Sequence, residues 1–279
     1  MQKLTTILAV STSADEAATV RARANLLAAP FRATVIFLLL EPDADRPLHE
    51  RILDHVARTR ADLVVKAPAG PHALRRFALT DSDWRLARSC PVPLLLARTR
   101  NWENPVRFAA AVNVADDEHA GLARGILRAA GFLALRLHGN LDILYTETET
   151  QDEPLRMARA VRLSKLVREF HVGCERLQMF AGEPEARLPP LLAARNYDVL
   201  VLGGRSRRRG LAQLAPGVIR RVMEATDSDI LLVNETEPAA EAAWSQREQR
   251  TDQRQHLFRV DGFAGDAQAR VHRQLAHRR

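Results

Sequence analysis

Asp62-Leu63-Val64-Val65-Lys66 decides how this chain is read, because the pattern returns as Asp198-Val199-Leu200-Val201-Leu202. A second run, Pro93-Leu94-Leu95-Leu96, returns as Asp229-Ile230-Leu231-Leu232, and both echoes lie 136 positions on (198 − 62 and 229 − 93). Nearer the start, Ile7-Leu8-Ala9-Val10-Ser11 is matched by Ala109-Ala110-Ala111-Val112-Asn113, an offset of only 102. The shortfall of 34 residues (136 − 102) is about one helix-plus-strand unit. The chain therefore reads as two copies of one α/β domain, residues 1–100 and 105–234, the first lacking a single unit. Residues 235–279 are left over as a tail.

A length of 279 residues suits two domains, each able to bury its own core, and a hydrophobic content of 46% is globular. Apolar runs such as Val35 to Leu40 are far shorter than the roughly 20 residues that span a bilayer. Thr5, Thr6 and Ser11-Thr12-Ser13 interrupt the N-terminal apolar stretch, which does not read as a signal peptide. Cys90 and Cys174 stand one per half, with no CxxC spacing, which points to a reducing, cytoplasmic setting and no structural zinc. The net charge is +7, but the basic residues are scattered among Asp and Glu, and all except Lys3, Lys66 and Lys165 are arginines. Aromatic residues, 5% of the chain, do not interleave with them as a base-stacking platform requires, so no nucleic-acid partner is expected.

Strand and helix patterns alternate. Thr6 to Val10 reads as a strand, and Ser13-Ala-Asp-Glu16 has capping-box spacing before a helix with Ala17, Val20, Ala24, Leu27 and Ala28 on one face. Thr34 to Leu40 has the composition of a buried parallel strand. Ile52, Leu53 and Val56 mark a helix, Leu63 to Val65 a strand, Asp83 to Ser89 a helix and Leu94 to Ala97 a strand. The second copy opens with a strand near Phe108 to Asn113 and a helix bearing Leu122, Ile126, Leu127, Phe132 and Leu133. A strand from Leu141 to Tyr145 and a helix on Leu155, Ala158, Val161 and Leu166 follow. The strand Arg176 to Phe180 is present in this copy alone. Helices near 185–195 and 216–225 alternate with the strands Val199 to Leu202 and Ile230 to Val233. From Glu235 the chain is rich in Gln, Arg, Glu and Ala and is expected to be a mobile tail, with an apolar patch between Leu257 and Phe263.

This alternation implies doubly wound parallel sheets, whose ligands bind at the C-terminal strand ends. The loops after Val10, Val65, Val112 and Leu202 are therefore the places to look.

Around those loops the sequence resembles the universal stress protein family, in its tandem-domain form. The carrying residues are Ala61 to Lys66, Leu74-Arg75-Arg76 and Asp81-Ser-Asp-Trp-Arg-Leu-Ala-Arg-Ser-Cys-Pro-Val-Pro-Leu-Leu-Leu96. In the second copy they are Asp198 to Ser206, then Arg221-Val222 and Asp229 to Val233. The resemblance covers about residues 3 to 234 and implies a Rossmann-like fold of the adenine-nucleotide α-hydrolase type, with strand order 3-2-1-4-5. It puts the missing unit at a sheet edge. It also implies that the last strands pair, making the two copies an internal pseudo-dimer.

Some members bind ATP through an Asp ending the first strand and a loop of the form G-x2-G-x9-G-[ST]. The glycines admit backbone amides to the phosphates, and a helix N-terminus favours their charge. Here Ser11 and Asn113 stand at the two Asp positions. In the second copy Gly203 matches the first glycine, Ser206 replaces the second and Pro216 the third, and Gly217 takes the hydroxyl position. In the first copy the corresponding residues are Ala67, Gly70, Thr80 and Asp81, the last of which would repel phosphate. These changes argue against tight ATP binding, and no cofactor is expected. Arg205-Ser206-Arg207-Arg208-Arg209 could nonetheless hold a phosphorylated ligand by charge. The candidate site is accordingly Asn113, Gly203, Gly204, Arg205, Ser206, Arg207, Arg208 and Gly217, in the second copy only. His49, His55 and His72 lack metal-ligand spacing, and no G-x-S-x-G, HExxH or P-loop motif occurs. The expected function is a non-enzymatic, cytoplasmic stress-response protein that binds a partner protein or small ligand. The alternative is a nucleotide-binding protein or slow ATP hydrolase using the same pocket.

Overall fold

Runs of apolar residues become strands here because alternate side chains can be covered on both faces at once. The structure, a computed structural model, describes residues 3–41, 43, 45–68, 79–114, 120–147, 152–169, 176–205, 220–222 and 226–235. The expected tail, residues 236–279, lies outside the described residues. The first copy contributes β1 (Thr6–Ser11), α1 (Ala14–Ala28), β2 (Thr34–Leu39), α2 (Leu48–Thr59), β3 (Leu63–Lys66), α3 (Asp81–Ser89) and β4 (Leu94–Leu96). The second contributes β5 (Arg107–Val112), α4 (Ala120–Arg136), β6 (Asn140–Glu147), α5 (Glu153–Glu169), β7 (Arg176–Ala181), α6 (Pro184–Ala194), β8 (Val199–Arg205) and β9 (Asp229–Asn234).

Among the described residues the strands form one sheet in the order β2-β1-β3-β4-β9-β8-β5-β6-β7. Every neighbouring pair is parallel except β4 and β9, which meet antiparallel with Leu95 opposite Leu231. Outward from that seam both halves have the same order, and the second carries β7 in addition. The unit α5–β7 is therefore what the first copy lacks, and it sits at a sheet edge. Period-2 alternation sorts the core into two layers. Ile7, Ala9, Leu231 and Val233 belong to the layer with Val20, Leu27, Ile126 and Leu133. Leu8, Val10, Ile230 and Leu232 belong to the layer with Ile52, Val56, Leu86 and Leu188.

Three local expectations change. At the start of α1 the Ser13 hydroxyl accepts from the Glu16 amide, but Glu16 reaches back to the amide of Thr12 (3.1 Å) and its hydroxyl (2.8 Å), one residue beyond the capping-box partner. Strand β2 is half-buried rather than buried, with Leu39 52% exposed, because no strand lies outside it. On α5 the buried residues are Leu163 and Leu166, whereas Val161 is 58% exposed. This helix belongs to the edge unit, so only part of it meets the core.

The repeated aspartates have parallel structural tasks. Asp62 accepts the amides of Thr5 (2.7 Å) and Thr6 (3.0 Å) at the entry to β1. Asp198 accepts the amides of Glu103 (3.1 Å) and Arg107 (2.8 Å) at the entry to β5. Each carboxylate thus satisfies strand-entry donors that would otherwise lack a partner. Asp229 has a task of its own at the seam. It pairs with Arg23 of the first copy at 2.5 Å and accepts from the Arg98 amide (2.7 Å) and the Trp102 indole (3.0 Å). Burial pushes its carboxyl up to about 7 against the pull of Arg23.

Candidate functional site

In the second copy a cleft opens where doubly wound sheets bind ligands, at the C-terminal ends of the central strands. It is a shallow cleft open to solvent, lined by Ala111 and Val112 of β5 and Asn113 just after it, Leu144 and Thr146 of β6, and Pro184 and Leu188 of α6. Local sequence explains the geometry. Gly182 takes φ +117° between β7 and α6, a conformation that favours glycine. Pro184 then begins the helix, where its missing N–H costs nothing. Arg162 of α5 donates to the Val114 carbonyl at 3.0 Å and so ties the added unit to the residue following Asn113. The described lining is aliphatic with one amide and one hydroxyl, a surface suited to shape recognition and hydrogen bonding.

Of the residues expected at the site, Asn113 lines this cleft. Gly203 is buried in β8 opposite Val233, so it lies in a strand and not in a loop. Gly204 sits at an irregularity in the β8–β9 register, beneath the end of α3. A Cβ there would come within 2.5 Å of the Asn234 Oδ1 and 3.0 Å of the Ala87 carbonyl oxygen. Asn234 in turn donates to the carbonyls of Ala87 and Cys90, both at 2.9 Å, at the end of α3. Gly204 therefore has a packing reason to be glycine, a contact between copies that sequence reasoning missed. The Arg205 backbone ends β8 opposite Asn234. Ser206, Arg207, Arg208 and Gly217 lie outside the described residues.

In the first copy the end of β3, the counterpart of β8, is taken up by the chain's own charges. Lys66 ends β3, and its ammonium pairs with Asp83 of α3 at 2.8 Å, both side chains only 1% exposed. The ammonium also donates to the Ala67 carbonyl at 2.8 Å. Asp83 in addition accepts from the Thr80 amide (3.1 Å) and hydroxyl (2.8 Å), while Thr80 caps α3 through the Asp83 amide (3.2 Å). Ser82, at the same helix start, accepts from the His49 amide of α2 at 3.0 Å. Ser11 is fully buried and turns its hydroxyl to the Ser13 carbonyl (2.6 Å). Thus Ala67 and Thr80, which match phosphate-loop positions in the resemblance, are taken up by an ion pair and a helix cap.

The fold is a duplicated doubly wound sheet, joined through its two final strands, with a crevice at the strand ends of the second copy. Comparisons with known proteins agree with the family resemblance drawn from the sequence. The chain is 22% identical over 200 residues to the Universal stress protein E homolog of Haemophilus influenzae and 21% identical over 207 residues to Universal stress protein E of Escherichia coli K12. These matches cover 65% and 68% of this chain, and it spans about 65% of the length of each relative. No protein-family profile matches. Among solved structures, a functionally unknown protein of Pseudomonas aeruginosa PAO1 superposes with a TM-score of 0.71 at 22% identity, over 84% of this chain and 94% of that one. A universal stress protein of Archaeoglobus fulgidus gives a TM-score of 0.55 at 12% identity, covering 84% and 98%. The fold is one that universal stress proteins have.

Proposed function

We propose that this chain is a non-enzymatic, cytoplasmic stress-response protein that acts by binding a partner protein or small ligand, with one ligand place per chain, in the second copy. In this reading the two copies form an internal pseudo-dimer through β4 and β9, and no bound cofactor is required. The supporting observation is the cleft at Asn113, at the C-terminal ends of β5 and β6, while the Lys66–Asp83 pair engages the end of β3 in the first copy. Packing of Gly204 against Asn234 gives that candidate residue a structural use. Native mass spectrometry of the purified chain should find no co-purifying nucleotide, and millimolar ATP should leave the thermal midpoint nearly unmoved.

The cleft itself favours one second reading, a nucleotide-binding protein or slow ATP hydrolase. A rise of several degrees with ATP, abolished by Arg207→Ala with Arg208→Ala, would replace the first reading with this one.

A further inference from the structure

β2 is the outermost described strand of the first copy, and its equivalent in the second copy, β6, is paired with β7 from Asp142 to Glu147. The duplication thus shows what belongs beside β2, and no strand among the described residues of the chain supplies it. Thr34-Val35-Ile36-Phe37-Leu38-Leu39 contains no charge, proline or glycine, the devices by which edge strands resist pairing. The amides of Thr34 and Leu40 point inward, to the carbonyls of Thr5 (2.8 Å) and Ser11 (2.9 Å). By the two-residue period, Val35, Phe37 and Leu39 turn their N–H and C=O groups outward.

We infer that β2 pairs antiparallel with β2 of a second copy of this chain, joining two nine-stranded sheets about a two-fold axis. The outward groups select the register. Phe37 faces Phe37 and Val35 faces Leu39, which gives about six interchain main-chain hydrogen bonds. No like charges oppose each other within the strands. At the strand ends this register sets Ala33 opposite Glu41 of the other copy, which brings the exposed Arg32 alongside that carboxylate, twice per dimer. A two-fold contact also closes. Pairing of β2 with β7 of another chain would be head-to-tail and would leave free edges that go on adding chains.

The test is the mass of the full chain in solution, by sedimentation or light scattering across the micromolar range. Twice 31.2 kDa is expected. Leu39→Lys, at an already exposed position, should weaken the dimer at least about tenfold, since the change occurs twice at the contact. Arg32→Glu should weaken it as well, and adding Glu41→Arg should restore it; all three sites are exposed, so the monomer stays folded. A single-chain mass at all concentrations, an assembly that keeps growing, or a charge swap without rescue would each overturn the inference.

Discussion

The two copies share sheet order, strand-entry aspartates and core layering, yet different chemistry is seen at their strand ends. In the first, Lys66, Asp83, Thr80 and Ser82 engage one another and α2 at the end of β3; in the second, a cleft lies between β5, β6 and α6. At the 136-residue offset, Leu202 stands where the first copy has Lys66 and Ile219 where it has Asp83. One copy thus has an ion pair and the other an apolar pair of residue types, Ile219 lying outside the described residues. A buried ion pair adds little net stability over well-packed apolar residues, but stranding one charge is costly.

The sharpest way to break this comparison is to exchange the pair. Lys66→Leu alone leaves Asp83 buried without its cation and should cost about 3–5 kcal/mol of unfolding free energy. Lys66→Leu with Asp83→Ile imports the second copy's residues and should recover most of that loss in urea titrations. Failure of the double variant to recover would mean that the copies differ in backbone and not only in side chains.

Next in size come the strand-entry aspartates. Asp198→Ala should cost about 2–3 kcal/mol, because two amides lose a charged acceptor in a fully buried site, and Asp62→Ala about 1 kcal/mol, because that carboxylate is partly solvated. Equal losses would contradict the difference in burial. Gly204→Ala should cost about 1–2 kcal/mol whether or not a ligand is present, since its Cβ meets Asn234 and the Ala87 carbonyl. A variant of unchanged stability would return Gly204 to the candidate site. The smallest effect concerns reactivity. Burial pushes the Cys90 thiol up to about 11, so at pH 8 its alkylation in the native chain should be far slower than in urea, as read by peptide mass.

Much of this was legible from residue pattern alone. The 31-residue spacing from Asp62 to Pro93 carries a strand and a helix, and the structure has β3 and α3 there; from Asp198 to Asp229 it has β8, while the expected helix near 216–225 lies largely outside the described residues. Among the candidate site residues, the place of Asn113 beside the cleft was legible because it follows a strand whose loop position follows from topology. The packing role of Gly204 was not legible, because a glycine needed for close approach of another segment looks the same in sequence as one needed near phosphate. Lys66 carried a weak signal, a lone lysine ending an otherwise apolar strand. Its partner Asp83 lies 17 residues away, and no local rule joins them.

Periodicity and repetition are local properties, and they were enough to determine the strands, the helices, the duplication and the position of the missing unit. Which side chains meet at the strand ends depends on loops and helices returning from distant parts of the chain. Whether a polar residue binds a ligand, caps a helix or neutralises a neighbour is set by that return. Only the tertiary structure could therefore show Lys66 paired with Asp83 in the first copy and a cleft beside Asn113 in the second.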